Sequence, residues 1–270
     1  MRQTIVTAAR CPLMAAPTFE SELLDELLLG WEAEILEETA PGWYRVRSAY
    51  GYDGCAPAAA LCADSEQAAA FSALPKAVVT APFCAILAAP DVRSWPTAEA
   101  TRGALVVPLA PTGKEGWVKT ALPYGGKGYT KSCYLLEYYK KPVLPESQFR
   151  RAVTETALSY LGCCYRWGGK SPLGIDCSGL AFMAYWLNGV TIFRDARIEP
   201  GFPVHEIPRS EAKPGDLLYF PGHVAVYLGG GQYVHAAASA GCVTVNSLDP
   251  GTLDYRADLA ENLTSVGSIF

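Results

Sequence analysis

Ile175-Asp176-Cys177-Ser178-Gly179 leads without a break into Leu180-Ala181-Phe182-Met183-Ala184-Tyr185-Trp186-Leu187. The second stretch is apolar on almost every side, the pattern of a helix buried in the middle of a domain rather than lying on its surface. Working outward, Ser147 to Leu161 places Phe149, Val153, Ala157, Leu158 and Leu161 on one helical face, and Gly162 stops it. On the other side Lys213-Pro214-Gly215-Asp216 precedes three strand-like runs: Leu217 to Phe220, His223 to Leu228 and Gln232 to Ala237. Pro221-Gly222 and Gly229-Gly230-Gly231 punctuate them. Helices first and strands after predict an α+β domain, not a doubly wound parallel one.

Cys177 stands where a thiol can become a nucleophile. Asp176 and Ser178 favour a helix start, so Cys177 falls in or just before the first turn. There the unpaired N–H groups and the positive end of the helix dipole favour a thiolate, and the same donors can hold an oxyanion. The chain has three histidines. His223 opens a strand and His235 follows twelve residues on, across a Gly-rich turn. As an antiparallel hairpin they bring two rings to one end of a sheet, where one can face Cys177 as base while the other holds it in its working tautomer. His205 sits in an irregular stretch and reads as structural, and the adjacent Cys163 and Cys164 read as packing residues. A zinc site is the rival use of Cys and His, but neither C-x2-C nor H-x3-H occurs. No metal and no cofactor are expected.

The first 140 residues repeat themselves. Val6-Thr7-Ala8, Cys11 and Ala15-Ala16-Pro17 recur 73 positions later as Val79-Thr80-Ala81, Cys84 and Ala88-Ala89-Pro90. Gly42-Trp43, Tyr50-Gly51, Gly54 and Leu61 recur 74 positions later as Gly116-Trp117, Tyr124-Gly125, Gly128 and Leu135. Fixed offsets mark a duplicated unit. Within a copy, Ala33 to Glu37 and Trp43 to Arg47 alternate as strands about a Pro41-Gly42 turn, which suggests a small β-barrel. Asp64 to Leu74 reads as a helical connector, and the prolines in 140–145 as the second junction. The expected organisation is 1–63 and 76–140 as two barrels, 64–75 between them, and 145–270 as the α+β domain.

Composition bounds the rest. Of 270 residues 50% are hydrophobic and 18% charged, enough apolar material for packed cores. A net charge of −5 argues against a nucleic-acid surface. No run of 18 apolar residues is present, so no membrane span is expected. The opening Met-Arg-Gln-Thr-Ile-Val has no long apolar core and reads as a strand rather than an export signal. Nine cysteines are too sparse for a disulfide scaffold, which favours the cytoplasm.

Asp176-Cys177-Ser178-Gly179-Leu180, Pro214-Gly215-Asp216-Leu217, Gly222-His223-Val224-Ala225-Val226-Tyr227, Tyr233-Val234-His235-Ala236 and Tyr165-x-Trp167-Gly168-Gly169 together resemble the NlpC/P60 cysteine peptidases. The two repeats resemble bacterial SH3 (SH3b) domains, although Cys55 stands where a tryptophan is common. The arrangement is similar to the γ-D-glutamyl-L-diamino acid endopeptidases of murein-peptide recycling, of the YkfC type. The resemblance implies a papain-like core with Cys177 as nucleophile, His223 as base and His235 as third member. Tyr165 would then stand near the oxyanion and Trp167 would wall the pocket, though both also suit ordinary aromatic packing.

It further implies cleavage between D-Glu and a diamino acid in murein-derived peptides with a free N-terminal L-Ala. Such an ammonium needs a carboxylate. Asp176 is one candidate, and Glu22 with Tyr50 are others, with Glu20 and Tyr52 as the alternative register. Arg194, beside Asp195, and Ser178 are candidates for the D-Glu carboxylate, against the reading of Arg194-Asp195 as a surface ion pair. A secreted autolysin acting on intact wall, or an inactive wall-peptide-binding module, are the competing readings.

Overall fold

The computed structural model describes residues 2–270, without the side chains at 110 and 111. Contacts divide it into two compact units, Met1–Tyr138 and Tyr139–Phe270. The first holds β1 (Arg2–Ile5), β2 (Arg10–Met14), β3 (Leu23–Leu28), β4 (Glu32–Ala40), β5 (Trp43–Ser48), β6 (Asp53–Pro57), α1 (Ser65–Ser72), β7 (Ala77–Val79), β8 (Phe83–Leu87), β9 (Pro96–Thr101), β10 (Leu105–Pro111), β11 (Trp117–Ala121), β12 (Lys127–Lys131) and β13 (Leu135–Glu137). The second holds α2 (Glu146–Leu158), β14 (Lys170–Ser171), β15 (Gly174–Ile175), α3 (Cys177–Trp186), β16 (His205–Ile207), β17 (Leu217–Phe220), β18 (His223–Gly229), β19 (Gln232–Ala237), β20 (Cys242–Ser247), α4 (Ala257–Ala260) and β21 (Ser265–Ser268).

The sequence repeat is a repeat of topology. One sheet runs β1-β4-β5-β6-β2-β3; the other runs β7-β10-β11-β12-β8-β9, with β13 added at its edge beside β7. Even the sparse contact between β2 and β6, Met14 opposite Cys55, returns 73 and 74 residues on as Leu87 opposite Tyr129. Cys55 is buried. The two sheets are joined within this unit at Gly30 and Trp31. Leu105 N–H donates to Leu29 O at 2.8 Å, and the Trp31 indole donates to Gly103 O at 2.8 Å. Gly30 has φ +80°, and a Cβ there would collide with the Leu105 carbonyl, so only glycine permits the approach. Asp64 caps α1, accepting from the N–H groups of Glu66 and Gln67.

In the second unit α2 and α3 pack beside the sheet β16-β21-β17-β18-β19-β20. Every residue of α3 is buried, so truncating Leu180, Phe182 or Met183 would each cost about 2–5 kcal/mol. Helix α2 ends at Leu158, earlier than the apolar pattern suggests, and Leu161 is 51% exposed. In its place Arg150 joins Phe149, Val153 and Ala157 on the buried face. Its guanidinium donates to Asp216 Oδ1 at 2.7 Å and Pro214 O at 3.2 Å, and Tyr185 donates its hydroxyl proton to Gly215 O. The Pro214-Gly215-Asp216 turn is thus the clamp that ties α2 and α3 to the start of β17. Among the described residues no helix is long and apolar enough to cross a membrane.

Candidate active site

Two short segments build the site, the start of α3 and the β18–β19 hairpin with its neighbour β20. Asp176 is the N-cap of α3 and Cys177 its first residue. One Asp176 oxygen accepts from Gly179 N–H at 2.6 Å, the other from Gly168 N–H at 2.7 Å. Gly179 and Gly169 face each other so closely that a Cβ on residue 179 would strike the Gly169 carbonyl. The close approach explains the glycine that follows Ser178, and Gly169 is a glycine because a Cβ there would strike the Gly174 carbonyl. The Cys177 side chain receives hydrogen bonds from the backbone N–H groups of Val224 and Ser178. Since Val224 follows His223, the thiol and the first histidine meet where β18 begins.

The two imidazoles and an asparagine form a chain. His223 Nε2 and His235 Nδ1 are 2.7 Å apart, and His235 Nε2 is 2.9 Å from Asn246 Oδ1. Asn246 Nδ2 donates to Asp254 O at 3.0 Å, which fixes its Oδ1 as the end facing His235. That oxygen can only accept, so neutral His235 carries its proton on Nε2 and presents a lone pair at Nδ1. His223 must therefore donate from Nε2, which leaves its Nδ1 as the basic nitrogen. Asn246 is the member of this chain of hydrogen bonds that sequence reading missed. It lies diagonally across from His235 on one face of the β19–β20 ladder, where His235 opposes Thr244 and Tyr233 opposes Asn246.

Burial shifts both reacting groups away from their charged forms. Burial, then the Asp176 carboxylate, push the Cys177 thiol up to about 11, against the pull of the two N–H donors and Arg194. Burial, then His235 and Arg256, lower His223 to about 4. Burial also lowers His235, opposed by its bond to Asn246. Tyr165 is half-buried within electrostatic reach of Cys177, and burial followed by Cys177 and Asp176 raises it to about 12, so its hydroxyl keeps its proton to donate.

Asp176, Ser178 and Arg194 are brought together, but as partners of one another. Arg194 is 1% exposed; its Nη2 lies 2.9 Å from Asp176 Oδ2, and its Nη1 donates to Ser178 Oγ at 2.7 Å and Asp176 Oδ1 at 3.1 Å. The Ser178 hydroxyl donates to Asp176 Oδ1 at 3.2 Å. Where the sequence suggested Asp176 for a substrate ammonium and Arg194 with Ser178 for a substrate carboxylate, all three have partners within the protein. The two charges neutralise each other inside the protein, where an unpaired one would be costly.

Asp195 lies 3.6 Å from Arg197. Trp167 is 59% exposed and is not a packed core aromatic. In the first unit Glu22 is exposed, and Tyr50 donates its hydroxyl proton to the buried Asp25. Cys164 is exposed and Cys163 half-exposed, so neither is the packing residue expected of it. Among the described residues no group of three or more His, Cys, Asp or Glu is placed to hold a metal ion.

The sequence profile of the NlpC/P60 family matches residues 162–260, a span that holds Cys177, both histidines and Asn246. A curated relative, Dipeptidyl-peptidase 6 of Lysinibacillus sphaericus, is 42% identical over 268 residues, covering 98% of this chain and 99% of the relative. The chain belongs to the NlpC/P60 family. As an NlpC/P60 peptidase it is also similar to the Gamma-D-glutamyl-L-lysine dipeptidyl-peptidase of Bacillus subtilis, 31% identical over 115 residues, which are 40% of this chain and 38% of that protein. The likeness in fold extends along the chain: the crystal structure of an NlpC/P60 family protein from Bacillus cereus superposes with a TM-score of 0.81 at 21% identity, covering 98% of each chain.

Proposed function

We propose that this chain is a cysteine peptidase that hydrolyses the bond between γ-D-Glu and the diamino acid in free murein stem peptides bearing N-terminal L-Ala. The observation that carries the chemistry is the Asn246–His235–His223 chain, which leaves a basic His223 Nδ1 at the strand end whose next N–H bonds the Cys177 thiol. His223 takes the proton from Cys177 as sulfur attacks the γ-carbonyl carbon. The Tyr165 hydroxyl and the N–H groups at the start of α3 receive the developing oxyanion. His223 then gives its proton to the leaving amine, and a thioester remains on Cys177. Water, deprotonated by His223, hydrolyses that ester and restores the thiol.

The finer parts of the reading are that the chain works in the cytoplasm on recycled peptides, and that residues 1–63 and 76–140 are SH3b domains. The relatives named for dipeptidyl-peptidase activity support a requirement for a free amino end.

Mass spectrometry of products from two substrates tests the proposal, using the purified chain and its Cys177→Ala variant. One substrate is free L-Ala-γ-D-Glu-meso-diaminopimelate, and the other carries an acetyl or muramoyl group on the alanine nitrogen. Cleavage of the free peptide alone, abolished by Cys177→Ala, is the expected result. Equal cleavage of both would return the autolysin reading, and cleavage by the variant would remove Cys177 as nucleophile.

A further inference from the structure

The chain that precedes Tyr165 runs antiparallel to the start of β20, and Cys164 lies directly opposite Cys242 in that pairing. The flanking bonds define the kind of pair. Val243 N–H donates to Cys163 O at 2.8 Å and Tyr165 N–H donates to Gly241 O at 2.7 Å, so the ladder bonds bracket the two cysteines rather than linking them. Opposed residues of this non-hydrogen-bonded type have Cα atoms about 4.5 Å apart and side chains on one face at closest approach. That separation lies within the roughly 4.4–6.8 Å window of disulfide geometry. Both thiols are reachable, Cys164 being exposed and Cys242 partly so, and neither is bonded to the other in the structure. Cys163 points elsewhere, its thiol donating to Pro172 O at 3.1 Å.

We propose that Cys164 and Cys242 are a reversible disulfide site, closed by small-molecule disulfides and opened by thiols. One cysteine, as thiolate, attacks the small disulfide and expels one thiolate, forming a mixed disulfide. The second cysteine attacks the protein sulfur and expels the other. The protein loses two thiol hydrogens, the oxidant becomes two thiols, and one S–S bond joins the segment before Tyr165 to β20. The closed form pins the strand that carries Asn246 to the residue preceding Tyr165, so it fixes two parts of the site against each other without using Cys177.

The test uses the full chain with Cys177→Ala, so that the active-site thiol takes no part, with Cys177→Ser as a second background. The protein is treated with oxidised glutathione, free thiols are alkylated, and tryptic peptides are mapped. The expected product is a cross-link between the peptide ending at Arg166 and the peptide ending at Arg256, about 2 Da lighter than the sum of the reduced pair. It should disappear with dithiothreitol and with either Cys164→Ser or Cys242→Ser. The oxidised protein should unfold roughly 5–10 °C higher than the reduced one, because the bond closes a long loop. A Cys163–Cys164 link, a cross-link that survives Cys164→Ser, or glutathione left on Cys164 and Cys242 with no cross-link would each overturn the proposal.

Discussion

Asp64 and Asp176 both cap helices, and each stands within two residues of a buried cysteine. At α1 the arrangement ends there. Asp64 is exposed and accepts two N–H bonds, and the Cys62 thiol donates to the Asp64 carbonyl at 3.3 Å. At α3 the cap is buried, its second oxygen is held by Gly168, and Arg194 neutralises it. The cysteine there lies inside the helix instead of before it, and the strand that opens with His223 brings the Val224 N–H to its thiol. A polar helix start beside a thiol is therefore common property of the chain. What separates the two places is the hairpin that delivers a base and the buried cation that occupies the cap.

The comparison can be broken at several points, the largest first. Cys177→Ala should lower turnover by more than about 10⁴-fold with the fold intact, measured by product formation alongside circular dichroism. Cys62→Ala should leave turnover unchanged. Asp176→Ala strands the Arg194 guanidinium and should cost about 3–5 kcal/mol in denaturant unfolding. A loss of only about 1 kcal/mol would make Asp176 no more than a second Asp64.

The pH profile comes next. Since protonated His223 cannot accept a proton, kcat/KM should stay level as pH passes below the ordinary imidazole value of 6.5 and fall through about 4. A midpoint near 6.5 would mean that the imidazole is not held neutral by burial. The sign for stability is the same: a histidine whose folded value is depressed takes up its proton first in the unfolded chain, so stability drains away as pH falls from 6.5 towards 4. Asn246→Ala should cut kcat about 10–100-fold and change KM little, because it frees the tautomer of His235 rather than a substrate contact. The smallest effect is Asp64→Ala, about 1 kcal/mol of stability with no change in kcat/KM.

What could be read from the sequence was what chain neighbours decide. The start of α3, the strand beginning at His223, the hairpin that returns His235, and the duplicated half are all set by spacing within a few residues or by a fixed offset. The parts that escaped depend on pairings across the fold. Asn246 is one polar residue in an ordinary strand, and only the β19–β20 register sets it against His235. Arg194 lies eighteen residues beyond Asp176, and nothing local marks it as that carboxylate's internal counter-charge. Leu161 fits the helical face in spacing, but the helix has already ended. Arg150 breaks the apolar pattern because its partner, Asp216, lies far along the chain.

The identical strand order of the two sheets in the first unit bears on how the chain reaches its native state. Equivalent strands compete for the same neighbours: β11 is as well shaped to lie beside β4 as beside β10, and a chain that swaps them satisfies most of its ladder bonds. Tandem copies of one topology are prone to such crossed assemblies. Two features differ between the copies here: Cys55 stands where the other copy has Tyr129, and the glycine at 30 admits the Leu105 carbonyl. Replacing Gly30 would therefore be felt first in the yield of refolded protein, ahead of any change in the peptidase site.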